Sequence, residues 1–349
     1  MRIAIATVQV PFITGGAEIL VDMLASELKK RGHQVDIVTI PFKWYPWKSL
    51  VNCMTMGRMM DLTEVNGEKI DKVIAVKFPA YYVKHENKVI WLMHQHRQAY
   101  DLWGTQYGDL DKTSNGEEIR DLITCCDNKY LKEAKNVFTI AQTTSDRLKE
   151  YNDIDSKVLY HPPLNSDQLH CDEYGDCVFY ASRIDAIKRQ RLLVEAAKYL
   201  KTPAKIVVAG GGSQEEIRYL KKIIEDNKLQ KRVRLAGFIS EEEKINYYAK
   251  CLCVYFGAYD EDYGYITLEG FFAKKPVIVH RDAGGPLEFV KDDYNGYVID
   301  DDPKVIAEKI DYLYNNKEEA KRLGENGCKT LQEKHMDWDY VIGQLLEDE

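Results

Sequence analysis

Several common features are missing from this sequence, and each absence excludes a class of protein. The 349 residues contain no run of 18 apolar residues, so we expect no membrane-spanning helix. The eight cysteines never show Cys-x-x-Cys spacing, which argues against a zinc site and favours reduced, buried thiols in a cytoplasmic protein. A Gly-x-Gly-x-x-Gly motif is also missing, so a nicotinamide cofactor is not indicated. The N-terminal residues read as a strand, not as a signal peptide.

The chain also lacks a surplus of positive charge. Its formal net charge is −8 at pH 7, whereas a nucleic-acid-binding surface needs clustered cations. Residues 1–165 hold 21 basic and 21 acidic side chains, which leaves the whole net charge in the remainder. We therefore expect no nucleic-acid partner, and the first half is better suited to an anionic surface.

What is present is an alternation of strands and helices long enough for two domains. Residues Arg2–Val8 and Val35–Ile40 are predicted strands, and Ala17–Arg31 is a predicted helix between them. This βαβ unit is typical of a doubly wound α/β fold. The pattern breaks at His161-Pro162-Pro163, which we interpret as a hinge between domains.

The most informative stretch contains two glutamates eight positions apart, Glu261 and Glu269, with Gly264 between them. The run Leu252–Phe256 predicts a buried strand and Tyr265–Phe272 a helix, so Glu261 falls in the connecting loop and Glu269 in the second helical turn. Backbone N–H groups at the start of that helix attract phosphate. Carboxylates beside a phosphate site suit hydroxyl groups, and a sugar nucleotide offers both parts.

Cations and glycines follow two other predicted strands of the second half. Arg183 ends one strand and Lys188 lies at the start of the next helix, where the helix dipole and both side chains favour phosphate. Gly210-Gly211-Gly212 follows another strand and could hold a nucleotide or only turn the chain. Gly15-Gly16, after the first strand of the chain, leaves a similar choice between a ligand loop and a structural turn.

Two further segments of the first half carry hypotheses. His94 and His96 follow the predicted strand Val89–Met93, at the edge of a parallel sheet where ligands bind. The His-x-His spacing could also suggest a metal site, but no third ligand is close in the sequence, so a metal is not expected. Residues 41–60 combine aromatic side chains with three cations and no acid, which suits either an anionic membrane interface or a capping helix packed on the first domain.

The second half resembles a known family. The signature residues occur in order: Glu261, Gly264, Glu269, Pro276, Gly284, Gly285 and Glu288. This set resembles the Glu-x7-Glu signature of retaining GT-B glycosyltransferases, glycosyltransferase family 4 (glycosyl transferases group 1) in particular. Arg183 and Lys188 match the family's Gly-Arg-x4-Lys element, with Ser182 in place of the common glycine. The family usually has Glu-Gly-Phe-Gly where this chain has Glu261-Asp262-Tyr263-Gly264.

The resemblance implies a GT-B fold, in which two Rossmann-like doubly wound domains face a cleft. The implied domains are 1–163 on the acceptor side, 164–334 on the nucleotide-sugar donor side, and a helix in 335–349 that crosses back to the first domain. The implied activity is retaining, metal-independent transfer of a hexose from a UDP- or GDP-linked sugar to a hydroxyl of a glycan, lipid-linked or small-molecule acceptor. No cofactor is implied beyond the nucleotide-sugar co-substrate.

The resemblance also assigns roles to residues. The implied catalytic residues are His94, with His96 as competitor, Glu261, Arg183 and Lys188. Glu261 would hold the donor sugar and Glu269 the ribose. The implied donor-binding residues are Gly15, Gly16, Arg183, Lys188, Gly210, Gly211, Phe238, Glu261, Tyr263, Gly264, Tyr265, Ile266, Thr267 and Glu269.

Two alternatives remain at this point. One is a GT-B synthase that makes a sugar phosphate or disaccharide, and the other is a non-catalytic protein that binds nucleotide sugars. The expected location is cytoplasmic, at the inner face of the membrane if residues 41–60 contact lipid, with a role in cell-surface polysaccharide or glycolipid synthesis.

Overall fold

The protein consists of two compact units, each built on a six-stranded parallel sheet. The structure is a computed structural model and describes residues 1–347. Unit 1 comprises Met1–Leu164 together with the described residues from Met336 onward, and unit 2 comprises Asn165–His335. The predicted fold class, two doubly wound α/β domains, is confirmed by the strand orders of the two sheets.

Unit 1 has the strand order β2-β1-β5-β6-β7-β8, and β3 pairs with β4 as a separate hairpin. Its strands are β1 (Arg2–Gln9), β2 (Gln34–Pro41), β3 (Glu64–Val65), β4 (Glu68–Lys69), β5 (Lys72–Ala75), β6 (Lys88–Leu92), β7 (Asn136–Thr139) and β8 (Lys157–Val158). Its helices before unit 2 are α1 (Gly16–Lys30), α2 (Trp47–Met59), α3 (Gly116–Tyr130) and α4 (Gln142–Asn152).

The central strands of unit 1 are buried along their whole length, as expected for parallel strands. Strand β6 even buries a lysine, Lys88, whose ammonium donates to the carbonyl oxygens of Tyr81, Val83 and Tyr130. Burial lowers the pKa of Lys88 to about 8. A buried cation needs such hydrogen bonds, and here three carbonyls replace its water.

Unit 2 has the strand order β11-β10-β9-β12-β13-β14. Its strands are β9 (Cys177–Ala181), β10 (Lys205–Ala209), β11 (Val233–Gly237), β12 (Cys253–Phe256), β13 (Val277–His280) and β14 (Gly296–Ile299). Its helices are α5 (Gln190–Ala196), α6 (Gln214–Asp226), α7 (Glu241–Lys250), α8 (Tyr265–Phe272), α9 (Pro303–Asn315) and α10 (Lys317–Gln332).

In each sheet the chain adds strands on one side of its first strand and then continues on the other side. Two candidate residues of unit 2 lie in the loops that follow the strands at this switch point. In unit 2 the chain builds from β9 outward through β10 and then returns to β12 on the other side of β9. The loops after β9 and β12 therefore leave the same sheet edge in opposite directions and open a crevice there. Lys188 follows β9 and Glu261 follows β12, so the topology brings them together.

The structure differs from the sequence interpretation at two places. The helix expected to start at Lys188 begins only at Gln190, because Arg189 has the left-handed backbone conformation, with φ of 50°. A short 3-10 turn, Ala186–Lys188, precedes it. The expectation of buried thiols is wrong for Cys125 of α3, which is exposed.

The C-terminal helix α11 (Trp338–Leu346) belongs to unit 1. Its residues Val341, Ile342 and Leu345 are buried. The Trp338 ring meets Trp91 of β6 edge to face, with 6.2 Å between ring centroids. The helix is thus part of the core of unit 1.

Two alanine substitutions in α11 should have opposite effects on stability. Leu345→Ala removes a fully buried side chain and should destabilise the protein by about 2–5 kcal/mol. Gly343→Ala should stabilise it by about 0.5–1 kcal/mol, because a Cβ there meets open space and alanine favours helix. Differential scanning calorimetry measures both, and an unchanged unfolding temperature in Leu345→Ala would contradict the packing of α11 on unit 1.

Candidate active site

The carboxyl edge of the unit 2 sheet holds an ion pair between Lys188 and Glu261. The Lys188 ammonium donates a hydrogen bond to Oε2 of Glu261. The two side chains are only 16% and 24% exposed, so water screens the pair incompletely. Asp185 fixes the turn that carries Lys188, because its carboxylate accepts the Ile187 N–H at 3.2 Å. The two residues predicted for phosphate and sugar therefore lie in direct contact.

Arg183 lies outside this pair. Its side chain is 60% exposed, and its guanidinium lies 3.6 Å from the Asp185 carboxylate. The Arg183 carbonyl accepts a hydrogen bond from Gln190 at 2.8 Å, which holds the backbone. The structure thus fixes the Arg183 main chain and leaves its guanidinium at the surface.

An arginine that the sequence interpretation missed, Arg189, ties together the loops around Glu261. Its guanidinium donates to both carboxylate oxygens of Asp282, at 2.9 and 2.6 Å, and to the carbonyl of Gly257 at 2.7 Å. The Ala258 carbonyl accepts from the same guanidinium at 3.3 Å. This links the ends of β12 and β13. The position of Arg189 directly after Lys188 could have drawn attention to it in the sequence, but the pattern predicts an ordinary helical residue there.

The glycine pair Gly284-Gly285 lets the β13 loop lie against the backbone of the Glu261 loop. A Cβ at Gly284 would come within 2.6 Å of the Glu261 carbonyl oxygen, and one at Gly285 within 2.3 Å of the Asp262 carbonyl oxygen. The Gly285 N–H donates to the Glu261 carbonyl at 2.7 Å, and the Glu261 N–H donates to Ala283 at 2.8 Å. Close approach of the chain to itself therefore explains these glycines.

The N-cap of helix α8 is Gly264, which no other residue could replace without strain. Its φ is 80°, and a Cβ would lie 2.6 Å from Cγ of Pro286. Of the predicted N–H groups at this helix start, that of Thr267 is already used, because it donates to the Gly264 carbonyl at 2.9 Å. Tyr263, Ile266 and Thr267 are buried, which makes them part of the support of the helix start.

Glu269 lies on α8, in the second turn as predicted, and is buried. Its Oε2 accepts a 2.6 Å hydrogen bond from the Tyr248 hydroxyl, and its Oε1 accepts a 3.0 Å hydrogen bond from the Lys244 ammonium. Both donors come from α7 and were not predicted. Burial and the neighbouring carboxylate raise the pKa of Tyr248 well above its usual value, so the phenol stays neutral. Burial alone would lower the pKa of Lys244, but Glu269 and Glu241 raise it.

The glycine loop after β10 passes close to the loop after β9. A Cβ at Gly210 would lie 2.0 Å from the Ser182 carbonyl oxygen, and one at Gly212 would lie 2.1 Å from that of Ile184. At Gly211 it would meet the Phe238 ring at 3.2 Å. Phe238 is 91% exposed, so its ring is accessible at this edge of unit 2.

In unit 1, Gly15 and Gly16 mark the start of α1. The Gly15 N–H donates to the Glu18 carboxylate at 2.8 Å, so a side chain of the same helix occupies this position. The other Glu18 oxygen lies 3.7 Å from the Lys77 ammonium, which follows β5. Burial lowers the pKa of Lys77, although Glu18 opposes the shift. The sequence interpretation did not identify Lys77.

The two histidines after β6 have different environments. His96 is buried against the rings of Phe78 and Phe42, with centroid distances of 5.1 and 6.3 Å. Burial, with a smaller contribution from His94, lowers the pKa of His96 to about 3, so this ring stays neutral. His94 is half-buried, and its Nδ1 lies 2.6 Å from the Gln95 carbonyl oxygen. The Gln95 contact fixes the orientation of the His94 ring.

Asp260 and Asp262 flank Glu261 and give the loop an Asp-x-Asp spacing. Within residues 1–347 no group of three or more histidine, cysteine or carboxylate side chains is arranged to hold a metal ion. Over the same residues, no helix is both long and apolar enough to cross a membrane.

Comparison with known proteins supports the resemblance seen in the sequence. Residues 165–330 match the family model described as glycosyl transferases group 1. An uncharacterized glycosyltransferase of Methanocaldococcus jannaschii is 23% identical, over 99% of this chain and 97% of the relative. The alpha-1,3/1,6-mannosyltransferase ALG2 of Dictyostelium discoideum is 33% identical over 37% of this chain and 32% of that protein. Other curated relatives are matched over 29% to 58% of their own length.

Solved structures share the fold over nearly the whole chain. Anabaena HepE, solved in complex with UDP and glucose, has a TM-score of 0.71 at 16% identity and covers 99% of this chain and 98% of its own. Sucrose-phosphate synthase of Thermosynechococcus elongatus has a TM-score of 0.76 at 18% identity with the same coverage. At these identities the likeness concerns the fold, which is GT-B. Residues 165–330 are thus similar in sequence to the glycosyl transferases group 1 family, and the whole chain shares the GT-B fold.

Proposed function

We propose that the protein is a retaining glycosyltransferase that moves a sugar from a UDP- or GDP-linked donor to a hydroxyl of a glycan, lipid-linked or small-molecule acceptor. The observation that carries this proposal is the contact between Lys188 and Glu261 at the carboxyl edge of the unit 2 sheet. It lies in the segment that matches the family. The mannosyltransferase relative supports sugar transfer, and the UDP-bound structural neighbour supports a nucleotide-linked donor.

The chemistry of the pair suits the two ends of such a donor. When the bond between the anomeric carbon and the phosphate oxygen breaks, negative charge develops on the diphosphate, and the Lys188 ammonium stabilises it. An ammonium has three N–H donors, so Lys188 can keep its contact with Glu261 and still bind phosphate. The Glu261 carboxylate accepts hydrogen bonds from the sugar hydroxyls.

In the proposed reaction the acceptor oxygen bonds to the anomeric carbon on the face that the phosphate leaves. The acceptor proton passes to the departing phosphate oxygen, so the products are the glycoside and the nucleoside diphosphate. Lys188 and Arg183 supply positive charge for the diphosphate, and we therefore propose that no metal ion is required. Glu269 is assigned to the ribose, and His94 to the donor sugar.

A GT-B synthase of a sugar phosphate or disaccharide is the second candidate. The fold likeness to sucrose-phosphate synthase is the only observation that favours it. Product analysis distinguishes the two functions, because a synthase transfers only to a free sugar or sugar phosphate, whereas the proposed transferase also extends a glycan, a lipid-linked acceptor or another small molecule. A non-catalytic nucleotide-sugar-binding protein would form no product with any acceptor.

Three substitutions should separate the roles of the site residues. Glu261→Gln and His94→Ala should lower kcat more than they raise the donor KM, because the sugar end of the donor changes charge during the reaction. Glu269→Gln should mostly raise the donor KM. Steady-state kinetics with UDP- and GDP-sugars measure both constants, and melting temperatures control for misfolding. Wild-type activity in folded Glu261→Gln and His94→Ala would refute the proposed site.

We further propose that unit 1 contacts an anionic membrane through residues 41–60. One face of helix α2 packs on unit 1 through the buried residues Leu50, Cys53, Met54 and Gly57. On this face α2 is the capping helix that the sequence left open as an alternative. Its opposite side and the preceding loop expose Tyr45, Met56 and Met59, and the last is 77% exposed. Lys43 and Lys48 of the same segment are exposed as well. Exposed aromatic, thioether and ammonium groups together suit the headgroup region.

Charge reversal should weaken this membrane contact. We expect the wild type to sediment with phosphatidylglycerol vesicles, and Lys43→Glu/Lys48→Glu to bind them at least thirtyfold more weakly, at about 1 kcal/mol for each lost lysine. The matched control Lys221→Glu/Lys222→Glu changes two exposed lysines of α6 by the same charge. Equal binding by both double variants, or no binding by the wild type, would refute the contact.

A further inference from the structure

The Glu269 carboxylate is held by two donors that nothing in the family signature includes. Tyr248 and Lys244 stand four residues apart on α7, so both side chains lie on one face of that helix. One donates to Oε2 of Glu269 and the other to Oε1, at 2.6 and 3.0 Å. Each carboxylate oxygen therefore has its own donor.

This arrangement fixes the plane of the carboxylate. The terminal torsion of a glutamate side chain is broad and has no sharp preferred value. A carboxylate on α8 would therefore sample many orientations unless hydrogen bonds select one. Because the two donors contact different oxygens, the carboxylate cannot rotate without breaking one of the two hydrogen bonds.

The two donors differ in how strongly they are committed to Glu269. The Tyr248 ring is fully buried and packs edge to face on Phe179 of β9, with 5.0 Å between centroids. Within the described part of the chain its hydroxyl has one acceptor, Glu269. The Lys244 ammonium also contacts the exposed carboxylate of Glu241 at 2.9 Å. Tyr248 therefore determines the orientation, and Lys244 chiefly balances the charge.

The carboxylate keeps unused acceptor capacity. An ionised carboxylate offers about four lone-pair positions, and among the described residues Glu269 accepts two side-chain hydrogen bonds. The remaining lone pairs have a direction set by Tyr248. Two adjacent hydroxyls are the donors that a fixed carboxylate selects best, since a site built to bind a hydroxyl rejects the analogue that lacks it.

We propose that Tyr248 is a positioning residue that gives the protein its preference for ribonucleotide over deoxyribonucleotide donors, with Lys244 in support. This rests on the proposed assignment of Glu269 to the ribose. Tyr248 does not touch the nucleotide in this account. It acts by directing the Glu269 lone pairs toward the 2′ and 3′ hydroxyls.

The test compares nucleotide affinities in variants that keep the ring. Isothermal titration calorimetry is run with UDP and GDP and with their 2′-deoxy and 3′-deoxy counterparts. Tyr248→Phe removes one oxygen and should reduce the ribose preference about fivefold, the effect of one hydrogen bond. The loss should come from weaker binding of the ribonucleotide, while the deoxynucleotide affinities and the melting temperature stay near wild type.

Tyr247→Phe is the matched control. Tyr247 is the neighbouring tyrosine of α7, and its ring stacks on Phe179 at 4.9 Å. It should keep the wild-type preference. A wild-type preference in Tyr248→Phe, or an equal loss for ribo- and deoxynucleotides, would overturn the proposal.

Glu269→Gln in the same assay separates this proposal from the proposed function. If Glu269→Gln loses the ribose preference and Tyr248→Phe keeps it, the positioning role alone is refuted. If Glu269→Gln keeps the preference, the ribose assignment is wrong, and the role of Tyr248 is refuted with it.

Discussion

The site in unit 2 depends on the hydrogen bonds that the Arg189 guanidinium donates. It joins the carbonyls that follow β12 to Asp282, which follows β13, through four hydrogen bonds. A buried guanidinium needs such a set of acceptors, and removing one partner would leave a costly unpaired charge. The loop that carries Glu261 lies between these two fixed points. The hydrogen bonds of Arg189, in which neither Glu261 nor Lys188 takes part, therefore help to hold Glu261 against Lys188.

Helices α7 and α8 supply the rest of the site. Helix α8 can start where it does because Gly264 adopts a left-handed conformation against Pro286. The start of α8 determines that Glu269 lies in its second turn. Helix α7 supplies the buried Tyr248 hydroxyl that donates to Glu269. Two carboxylates with different neighbours result. Glu261 is paired with a cation at the sheet edge, whereas Glu269 is oriented by a neutral hydroxyl and a shared ammonium.

Much of this arrangement could be predicted from local sequence patterns. Alternating buried strands and amphipathic helices indicated two doubly wound units, and the helix predicted at Tyr265–Phe272 has the same bounds in the structure. The loop position of Glu261 and the second-turn position of Glu269 followed from the same pattern. These predictions succeeded because they depend on hydrophobic periodicity and on glycine, both of which act over a few residues.

Contacts between distant residues could not be predicted in this way. Lys188 and Glu261 are 73 residues apart, and the hydrogen bonds of Arg189 to Asp282 depend on the order of strands in the sheet. The left-handed backbone at Arg189 is unusual for a residue with a side chain, so helical periodicity carried the prediction one residue too far. The glycine pair Gly284-Gly285 was recognised as part of the family signature, but its neighbours, the backbone atoms of the Glu261 loop, are visible only in the structure.

The central claim is that built-in cations at this sheet edge bind the donor diphosphate. Calorimetric titration of UDP and GDP in the presence of EDTA tests it most directly, on the wild type, Lys188→Ala, Arg183→Ala and the double variant, with Lys221→Ala as the control. The account predicts metal-independent binding to the wild type and to the control. Each site substitution should weaken it by about 2 kcal/mol, and Lys188→Ala by more, because it leaves Glu261 unpaired beside the anion. Unchanged affinity for both nucleotides in the double variant, or wild-type binding that requires Mn²⁺ or Mg²⁺, would contradict the account.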